Sequence, residues 1–454
     1  MARYDEQKKH IWMEWHLSAG RYVTYARSVS ELLKAEKAEE GDMIKVLTNG
    51  KEHVGILMPH HDFSDPDTVV LKLKSGYNIG VRLAEGSKVT VVRKVEKKER
   101  HFKAKEVDPS KKNVAVIGTG GTIASYVDYR TGAVHPALSA EDLVATVPEM
   151  ADICNVKARV LFSIFSENMN VQRWQELAGA VVDQLNSGDE GCIIPHGTDT
   201  MGYTSAALSF MLESLPRPVL LVGAQRSSDR PSSDAYTNLL ASARFCVQSD
   251  AAEVFILMHH TSSDTVAAVH RGTRVRKMHT SRRDAFESVN EPPVALVDFE
   301  GGIKYNSDYR KKSSGKVAFK PDMEEEVALI HFYPGMSPNA FEKLMGSHKG
   351  VVISGSGLGH VSADMVKVLK RTVDSGIPVV MTSQCLYGSV NLNVYYTGRD
   401  LLTAGVIPGG DMLPETALIK LMWALANTNG EKELRKLMAT NLRGELSERR
   451  EIDG

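Results

Sequence analysis

The sequence is poor in cysteine, and the spacing of its cysteines argues against the usual cysteine motifs. Only four occur among 454 residues, at Cys154, Cys192, Cys246 and Cys385. No two are close enough along the chain to form a CxxC pair, so a zinc site of that type and a thioredoxin-like redox centre are both disfavoured. We expect reduced thiols in a cytoplasmic protein.

Long apolar runs and an excess of charge of one sign are also absent. No stretch of about 18 apolar residues occurs, so no membrane-spanning helix is expected, and the first residues lack the apolar core of a signal peptide. Basic side chains (55) and acidic side chains (56) nearly cancel, to a net charge of -1. This balance does not favour a surface coated in basic residues for nucleic acid, although a local basic patch stays open.

The chain is long enough for two or three domains, and changes of pattern predict where they lie. Residues 1–40 form a polar extension with a short helix. Residues 41–95 contain short runs rich in Val, Ile and Leu, separated by turn signals such as Asn49-Gly50. Strands of this kind predict a small SH3-like β-barrel. The charged residues 96–112 predict a linker.

From residue 113 onward, buried strands alternate with helical patterns, and this alternation predicts an α/β fold with parallel sheets. A polar, lysine-rich stretch at residues 309–326 divides an earlier set of strands and helices from a later one. We therefore predict two α/β subdomains, at residues 113–310 and 327–454.

The first candidate site is the sequence VIGTGGTIA at residues 116–124, where a buried strand runs into a glycine-rich turn. Ligands bind beyond the carboxyl ends of strands in open α/β sheets, so Thr119 and Thr122 stand where chemistry is usually done. Gly120 and Gly121 would let the backbone approach a substrate. The alternative, a dinucleotide loop, is disfavoured because no second strand ends in an acid about 20 residues further on.

Two more segments contain candidate catalytic residues. In IIPHGTDTMGYTS at residues 193–205, Thr198 and Asp199 place a hydroxyl beside a carboxylate, although such residues often only cap helices. In the basic stretch at residues 271–288, Lys277 stands among cations. Nearby cations and burial lower the pKa of a lysine in general, which would make it a base, and a solvated basic loop is the alternative.

Taken together, these three segments resemble the L-asparaginase family. That family is marked by a TGGTIA loop, an HGTDTM loop and a downstream lysine in a Lys-X-X-Thr setting. All three occur here in that order, at residues 119–124, 196–201 and 277–280. The resemblance covers the chain from about residue 113 to its end, and further matching segments are SENMN (166–170), LVGAQR (221–226), SGSGLG (354–359) and TSQC (382–385).

The resemblance implies a threonine-dependent amidohydrolase that needs no metal or organic cofactor of its own. Thr122 matches the first catalytic threonine, Thr198 and Asp199 match the second threonine with its aspartate, and Lys277 matches the lysine. A hydroxyl attacks only when a base takes its proton, and the latter three would form a relay analogous to a Ser-His-Asp triad. Which threonine attacks first stays open, with Thr122 favoured. The family's mobile lid carries a tyrosine that helps to activate the first threonine. Here the loop offers Tyr126 and Tyr129, at a spacing that departs from that of bacterial enzymes, so the choice between them stays open.

The same resemblance implies the substrate site. Ser166 would hold the α-carboxylate of a free amino acid, and Glu167, where bacterial asparaginases commonly have glutamine, would pair with its α-ammonium together with Asp199. Gly121 and Gly197 would line the site, and backbone N–H groups near Gly121 and Thr198 would stabilise the oxyanion.

The residues before the TGGTIA loop resemble a narrower group. Ordinary asparaginases begin almost directly with the preceding strand, whereas here that strand begins near residue 113. This layout, SENM and the serine-rich residues 225–235 look like the D-type subunits of archaeal glutamyl-tRNA(Gln) amidotransferases. The resemblance implies that the amide donor is glutamine or asparagine. It also implies a partner, an E-type subunit that uses ATP and Mg²⁺ to activate aminoacyl-tRNA. Finally, it implies a cytoplasmic heterodimer that pairs into a heterotetramer.

Two alternatives remain. One is a free-standing asparaginase with an accessory N-terminal domain. The other, from a different functional class, is a non-catalytic scaffold, which the intact set of Thr122, Thr198, Asp199 and Lys277 disfavours.

Overall fold

The computed structural model describes a large part of the chain, in two compact units that are treated separately below. A smaller unit contains residues 25–94, and a larger one contains most described residues from 107 onward. Thr122, Tyr129, the side chain of Tyr126 and most of the predicted linker lie outside what is described. The described residues are 25–58, 65–73, 78–94, 107–121, 123, 125–127, 134–136, 147, 149–226, 233–263 and 265–447.

The smaller unit consists of one helix and an antiparallel sheet in the order β4-β3-β2-β1-β5. Asn49 and Gly50 both have positive φ and join the first two strands, as the hairpin signal predicts. The antiparallel strands are confirmed, while closure into an SH3-like barrel stays a prediction. The elements are α1 (Arg27–Ala35), β1 (Met43–Thr48), β2 (Lys51–Leu57), β3 (Thr68–Lys72), β4 (Asn78–Arg82) and β5 (Lys88–Arg93).

The rest of the chain follows the predicted α/β pattern. The strands are β6 (Asn113–Gly120), β7 (Ser125–Val127), β8 (Val134–Pro136), β9 (Asn155–Ile164), β10 (Cys192–Pro195), β11 (Leu212–Glu213), β12 (Val219–Val222), β13 (Val254–His259), β14 (Val266–Arg271), β15 (Val275–Lys277), β16 (Phe286–Ser288), β17 (Ala295–Asp298), β18 (Ile303–Tyr305), β19 (Ala318–Phe319), β20 (Val327–His331), β21 (Gly350–Gly355), β22 (Val379–Ser383) and β23 (Ile407–Pro408). The helices are α2 (Met150–Ile153), α3 (Val171–Asn186), α4 (Met201–Met211), α5 (Ala235–Gln248), α6 (Pro338–Gly346), α7 (Ala363–Asp374), α8 (Tyr396–Thr403), α9 (Pro414–Asn427) and α10 (Glu431–Met438).

The main sheet is mixed rather than purely parallel. Its order is β18-β17-β14-β13-β12-β10-β6-β9. Neighbouring strands are parallel from β13 through β12, β10 and β6 to β9. The other three pairs, β13 with β14, β14 with β17 and β17 with β18, are antiparallel. Only six residues, 260–265, connect β13 to β14, which is too few for the crossover helix that a parallel pair requires. These two strands therefore pair antiparallel, contrary to the prediction of parallel sheets.

The C-terminal strands form a second, four-stranded parallel sheet in the order β20-β21-β22-β23. Helix α9 packs against this sheet and also against helix α4 of the main sheet, so one core is shared. The lysine-rich stretch predicted to separate the subdomains is packed as well. Its strand β19 pairs with β11, and Lys312 donates to Glu190 at 2.6 Å.

A fully buried ion pair ties helix α9 to the segment after helix α10. Lys420 Nζ lies 2.6 Å from Glu445 Oε1, and neither side chain is exposed. Lys420 also donates to the carbonyl oxygens of Met438 and Thr440, so the ammonium group is surrounded by acceptors. Removing one member of such a pair leaves an uncompensated buried charge.

Lys420→Met is therefore expected to lower the free energy of unfolding by about 3–5 kcal/mol. The matched control is Lys349→Met, because Lys349 pairs with Glu324 at 3.0 Å while 60% of its side chain is exposed. Solvent screens that exposed pair, so its loss should change the free energy of unfolding far less than the loss of Lys420. Denaturant midpoints of the two variants and the parent give the comparison, and equal losses for both variants would contradict the expectation.

Candidate active site

The candidate site lies at the carboxyl ends of parallel strands β6, β9 and β10, where three chain segments meet closely. Gly121 has φ +84°, and a Cβ built on it would clash with the backbone nitrogen of Gly197. A Cβ on Gly197 would in turn lie 2.7 Å from Cβ of Ser166. Glycine is therefore required at both positions, and the predicted substrate-site residues Gly121, Gly197 and Ser166 are neighbours.

Lys277 joins the second threonine to its aspartate. Lys277 Nζ donates to Thr198 Oγ1 at 2.8 Å and to Asp199 Oδ1 at 2.6 Å. Only 14% of the lysine side chain is exposed, whereas 71% of the Asp199 side chain is accessible. An amino group within hydrogen-bonding distance of both a hydroxyl and a carboxylate is placed to pass a proton between them.

The cations expected to act on Lys277 are each paired with a carboxylate. Arg274 is buried and its Nη1 lies 2.8 Å from Asp411 Oδ2. Arg276 Nη2 lies 3.3 Å from Glu415 Oε1. The stretch around Lys277 is therefore not the field of free positive charge that its composition suggested, because acidic residues distant in the sequence neutralise it.

Arg274 and its neighbour Thr273 also fasten the strand that carries Lys277. The Arg274 guanidinium donates to the carbonyl of Gly444 at 2.7 Å and to Ser447 Oγ at 2.9 Å. The Thr273 hydroxyl donates to the carbonyl of Arg443 at 3.0 Å. Sequence patterns gave no sign of these contacts, since their partners lie about 170 positions further along the chain.

The predicted substrate residues Ser166 and Glu167 begin a single 3₁₀ turn after strand β9. Ser166 is buried, and its carbonyl accepts a hydrogen bond from Thr200 Oγ1 at 2.7 Å. This bond ties the turn to the loop that carries Thr198 and Asp199. Glu167 is exposed, so its carboxylate is accessible from solvent.

The first loop contains two threonines, of which Thr119 has a structural role. Thr119 is buried, and its hydroxyl donates to the carbonyl of Pro195 at 2.8 Å. It therefore links strands β6 and β10, and the sequence-based suggestion that it takes part in chemistry is not supported. Thr122 lies outside the described residues, so its position in the site stays a prediction.

A hydrogen-bonded chain that sequence reasoning missed lies behind the HGTDT loop. His196 is buried, with Nδ1 2.7 Å from the carbonyl oxygen of Gly197 and Nε2 3.0 Å from Thr204 Oγ1. Trp174 Nε1 donates to the same Thr204 oxygen at 3.0 Å. Burial lowers the pKa of His196 to about 4, partly offset by the hydrogen bond to Gly197.

Two features that are absent from the described residues bear on other classes of site. No group of three or more His, Cys, Asp or Glu side chains in that part of the chain is arranged to hold a metal ion. None of the helices described there is long and apolar enough to cross a membrane.

Comparison with known proteins assigns the class. The family models "Asparaginase, N-terminal" and "Glutaminase/Asparaginase C-terminal domain" match residues 113–311 and 326–438. The thermostable L-asparaginase from Thermococcus kodakarensis aligns with a TM-score of 0.66 and 35% identity, over 74% of this chain and 99% of its own. L-asparaginase I from Vibrio cholerae gives 0.66 and 29%, over 74% of this chain and 100% of its own. Fold and site thus define an amidohydrolase of the asparaginase class.

Curated relatives narrow this class further. The model "GatD N-terminal domain" matches residues 38–92. The D-type subunit of glutamyl-tRNA(Gln) amidotransferase from Pyrococcus furiosus is 53% identical over 428 residues, covering 92% of this chain and 97% of that protein. The corresponding protein from Methanopyrus kandleri is 48% identical over 443 residues, covering 95% and 96%. The chain belongs to the family of these D-type amidotransferase subunits.

Proposed function

We propose that this protein hydrolyses the side-chain amide of glutamine or asparagine with a threonine nucleophile and supplies the ammonia to a tRNA-dependent amidotransferase. The observation that carries the proposal is Lys277 Nζ, which bridges Thr198 Oγ1 and Asp199 Oδ1. Thr198 and Asp199 follow Gly197, which packs against Gly121 and Ser166, and these residues are proposed to line the substrate site.

The reaction proceeds in two halves. In the first, the Thr122 hydroxyl oxygen attacks the amide carbon, the carbonyl oxygen becomes an oxyanion, and the carbon–nitrogen bond then breaks. The relay of Thr198, Lys277 and Asp199 takes up the hydroxyl proton and returns it to the leaving nitrogen, so that ammonia departs and an ester to Thr122 remains. In the second half, water attacks the ester carbon, and glutamate or aspartate is released as Thr122 regains its proton.

Recognition of a free amino acid rests on charge at both ends of its α-carbon. Ser166 offers a hydroxyl to the α-carboxylate, and Asp199 and Glu167 offer carboxylates to the α-ammonium. The high exposure of Asp199 supports this role, because its carboxylate is accessible to a ligand while one oxygen stays on Lys277. A peptide-bonded residue has neither free charge and would bind weakly.

The names of the relatives supply the wider role. Their naming as one subunit of an amidotransferase implies a partner, which we propose to be an E-type subunit that uses ATP and Mg²⁺ to activate glutamate on tRNA(Gln). The two proteins would form a heterodimer that pairs into a heterotetramer, in the cytoplasm where tRNA is charged. The second candidate is a free-standing asparaginase, and its support comes from the solved L-asparaginases that align over 74% of the chain.

The test compares ammonia release from glutamine and asparagine by the purified chain alone, with the E-type subunit, and with that partner plus Glu-tRNA(Gln). We expect weak amidase activity alone and stimulation by the complete set. Full activity alone, unaffected by partner and tRNA, would favour the free-standing asparaginase. No ammonia release from either amide under any of these conditions would favour the scaffold.

A further inference from the structure

The hydrogen bonds around His196 fix the position of its single proton. Tryptophan Nε1 is only a donor, so Thr204 Oγ1 accepts from Trp174. The Thr204 hydroxyl hydrogen is then available for His196 Nε2, 3.0 Å away. The ring proton is therefore on Nδ1, where it donates to the Gly197 carbonyl at 2.7 Å. The opposite tautomer would set the Nδ1 lone pair against the lone pairs of that carbonyl oxygen.

This arrangement holds at the pH at which such an enzyme works. His196 is 1% exposed, and burial disfavours the charged imidazolium, with a pKa of about 4. The ring is thus neutral near pH 7, with one donor and one acceptor, and both are used. A catalytic base would need a lone pair directed at the substrate, whereas the lone pair here is directed at helix α4.

The Gly197 carbonyl determines the direction of the next N–H group. The peptide between Gly197 and Thr198 is trans, because the chain has no cis peptide bond among its described residues. In a planar trans peptide the carbonyl and the N–H point in opposite directions. With the carbonyl held toward the buried imidazole, the Thr198 N–H points away from it. No acceptor for that N–H occurs among the described residues.

We propose that His196 is a positioning residue, whose Nδ1–H holds the Gly197 carbonyl and thereby aims the Thr198 N–H at the oxyanion formed on the substrate amide. The proposal rests on the amidase function proposed above. Thr204 and Trp174 support His196 in this role, because they hold the tautomer in which Nδ1 is the donor. An N–H directed in advance at developing charge stabilises the transition state without reorganisation.

The test compares His196→Asn with His196→Gln. The side-chain nitrogen of asparagine takes the place of Nδ1 and can still donate to Gly197, whereas that of glutamine takes the place of Nε2. We expect His196→Asn to retain most of kcat. His196→Gln should lose about 10²-fold in kcat, the size of losing one oxyanion donor, with KM changed by less than about threefold. A merely structural role would lower both variants alike.

A second pair of variants covers the case in which changes at His196 unfold the protein. Thr204→Ser keeps the hydroxyl and should retain kcat, while Thr204→Val removes it and should lower kcat about tenfold, less than loss of the donor itself. Thermal midpoints of all four variants show whether each is folded. Equal kcat for Asn and Gln at position 196, or for Ser and Val at position 204, would overturn the proposal.

The position of the proton can also be read without any activity. In protein labelled with ¹⁵N-histidine, the His196 signals at pH 7 should show a protonated Nδ1 and an unprotonated Nε2, with His196→Asn identifying the signals. A protonated Nε2 would overturn the proposal. A parent protein that shows the expected signals but releases no ammonia under any condition would instead overturn the proposed function.

Discussion

Replacing Lys277 by arginine is expected to lower kcat by about 10²-fold or more, as much as replacing it by methionine. Lys277 Nζ lies 2.8 Å from Thr198 Oγ1 and 2.6 Å from Asp199 Oδ1, so it is the only proton carrier seen between them in the described residues. Arginine keeps the positive charge beside Asp199, but a guanidinium stays protonated and cannot accept a proton from a hydroxyl. Initial rates of ammonia release, measured across the pH range, give the comparison.

The matched control is Arg276→Lys, one position earlier on strand β15. Arg276 pairs with Glu415, and no hydrogen bond joins it to Thr198 among the described residues, so this exchange should change kcat by less than about threefold. A Lys277→Arg variant that keeps much of the parent activity would show that position 277 supplies only charge. The relay proposed here would then be wrong.

Thr122→Val and Thr198→Val should each reduce ammonia release below about one-thousandth of the parent rate, since members of a catalytic unit have very large individual effects. Valine keeps the volume of threonine and removes only the hydroxyl. The two variants are expected to differ in the intermediate that they form. With Thr122 as first nucleophile, Thr198→Val can still form the ester slowly but cannot activate water to break it. Thr122→Val cannot form the ester at all.

Mass spectrometry of the quenched reactions separates these cases. We expect a glutamyl group on Thr122 in the Thr198→Val variant and no acylated protein in the Thr122→Val variant. Thermal midpoints close to that of the parent would show that both variants are folded. An acyl group found on Thr198 in the Thr122→Val variant would reverse the order of the two threonines.

The sequence indicates the class of fold well, because strand and helix periodicities are local properties. Helix α3 is one of the helices that alternate with buried strands as the pattern predicts, and its Asn170 cap accepts from the backbone of Arg173. The antiparallel half of the main sheet was missed, since pairing partners depend on the length of connections and not on the composition of a strand. Strand direction is therefore the part of the fold that a single sequence predicts least well.

The motifs locate the candidate site in the sequence, but they do not predict its geometry. Lys277 and Thr198 are 79 positions apart, and only the resemblance to asparaginases linked them before the structure did. Residue type alone also misjudged Thr119, whose hydroxyl is used by the backbone of Pro195. The tautomer of His196 depends on Thr204 and Trp174 on two different helices, which no local pattern reveals.

Thr273 and Arg274 form hydrogen bonds with residues near the C-terminus, and these bonds bear on which truncated fragments of the protein can be active. All the proposed catalytic residues lie before residue 310, so the later subdomain contributes none of the proton relay. Yet Asp411, Gly444 and Ser447 surround Arg274, three positions before Lys277. A fragment that ends after the first subdomain would retain every proposed reacting group and the pairing of β15 with β16, but it would lose these contacts just before Lys277. We therefore expect the smallest unit able to catalyse to be larger than the set of residues proposed to perform the chemistry.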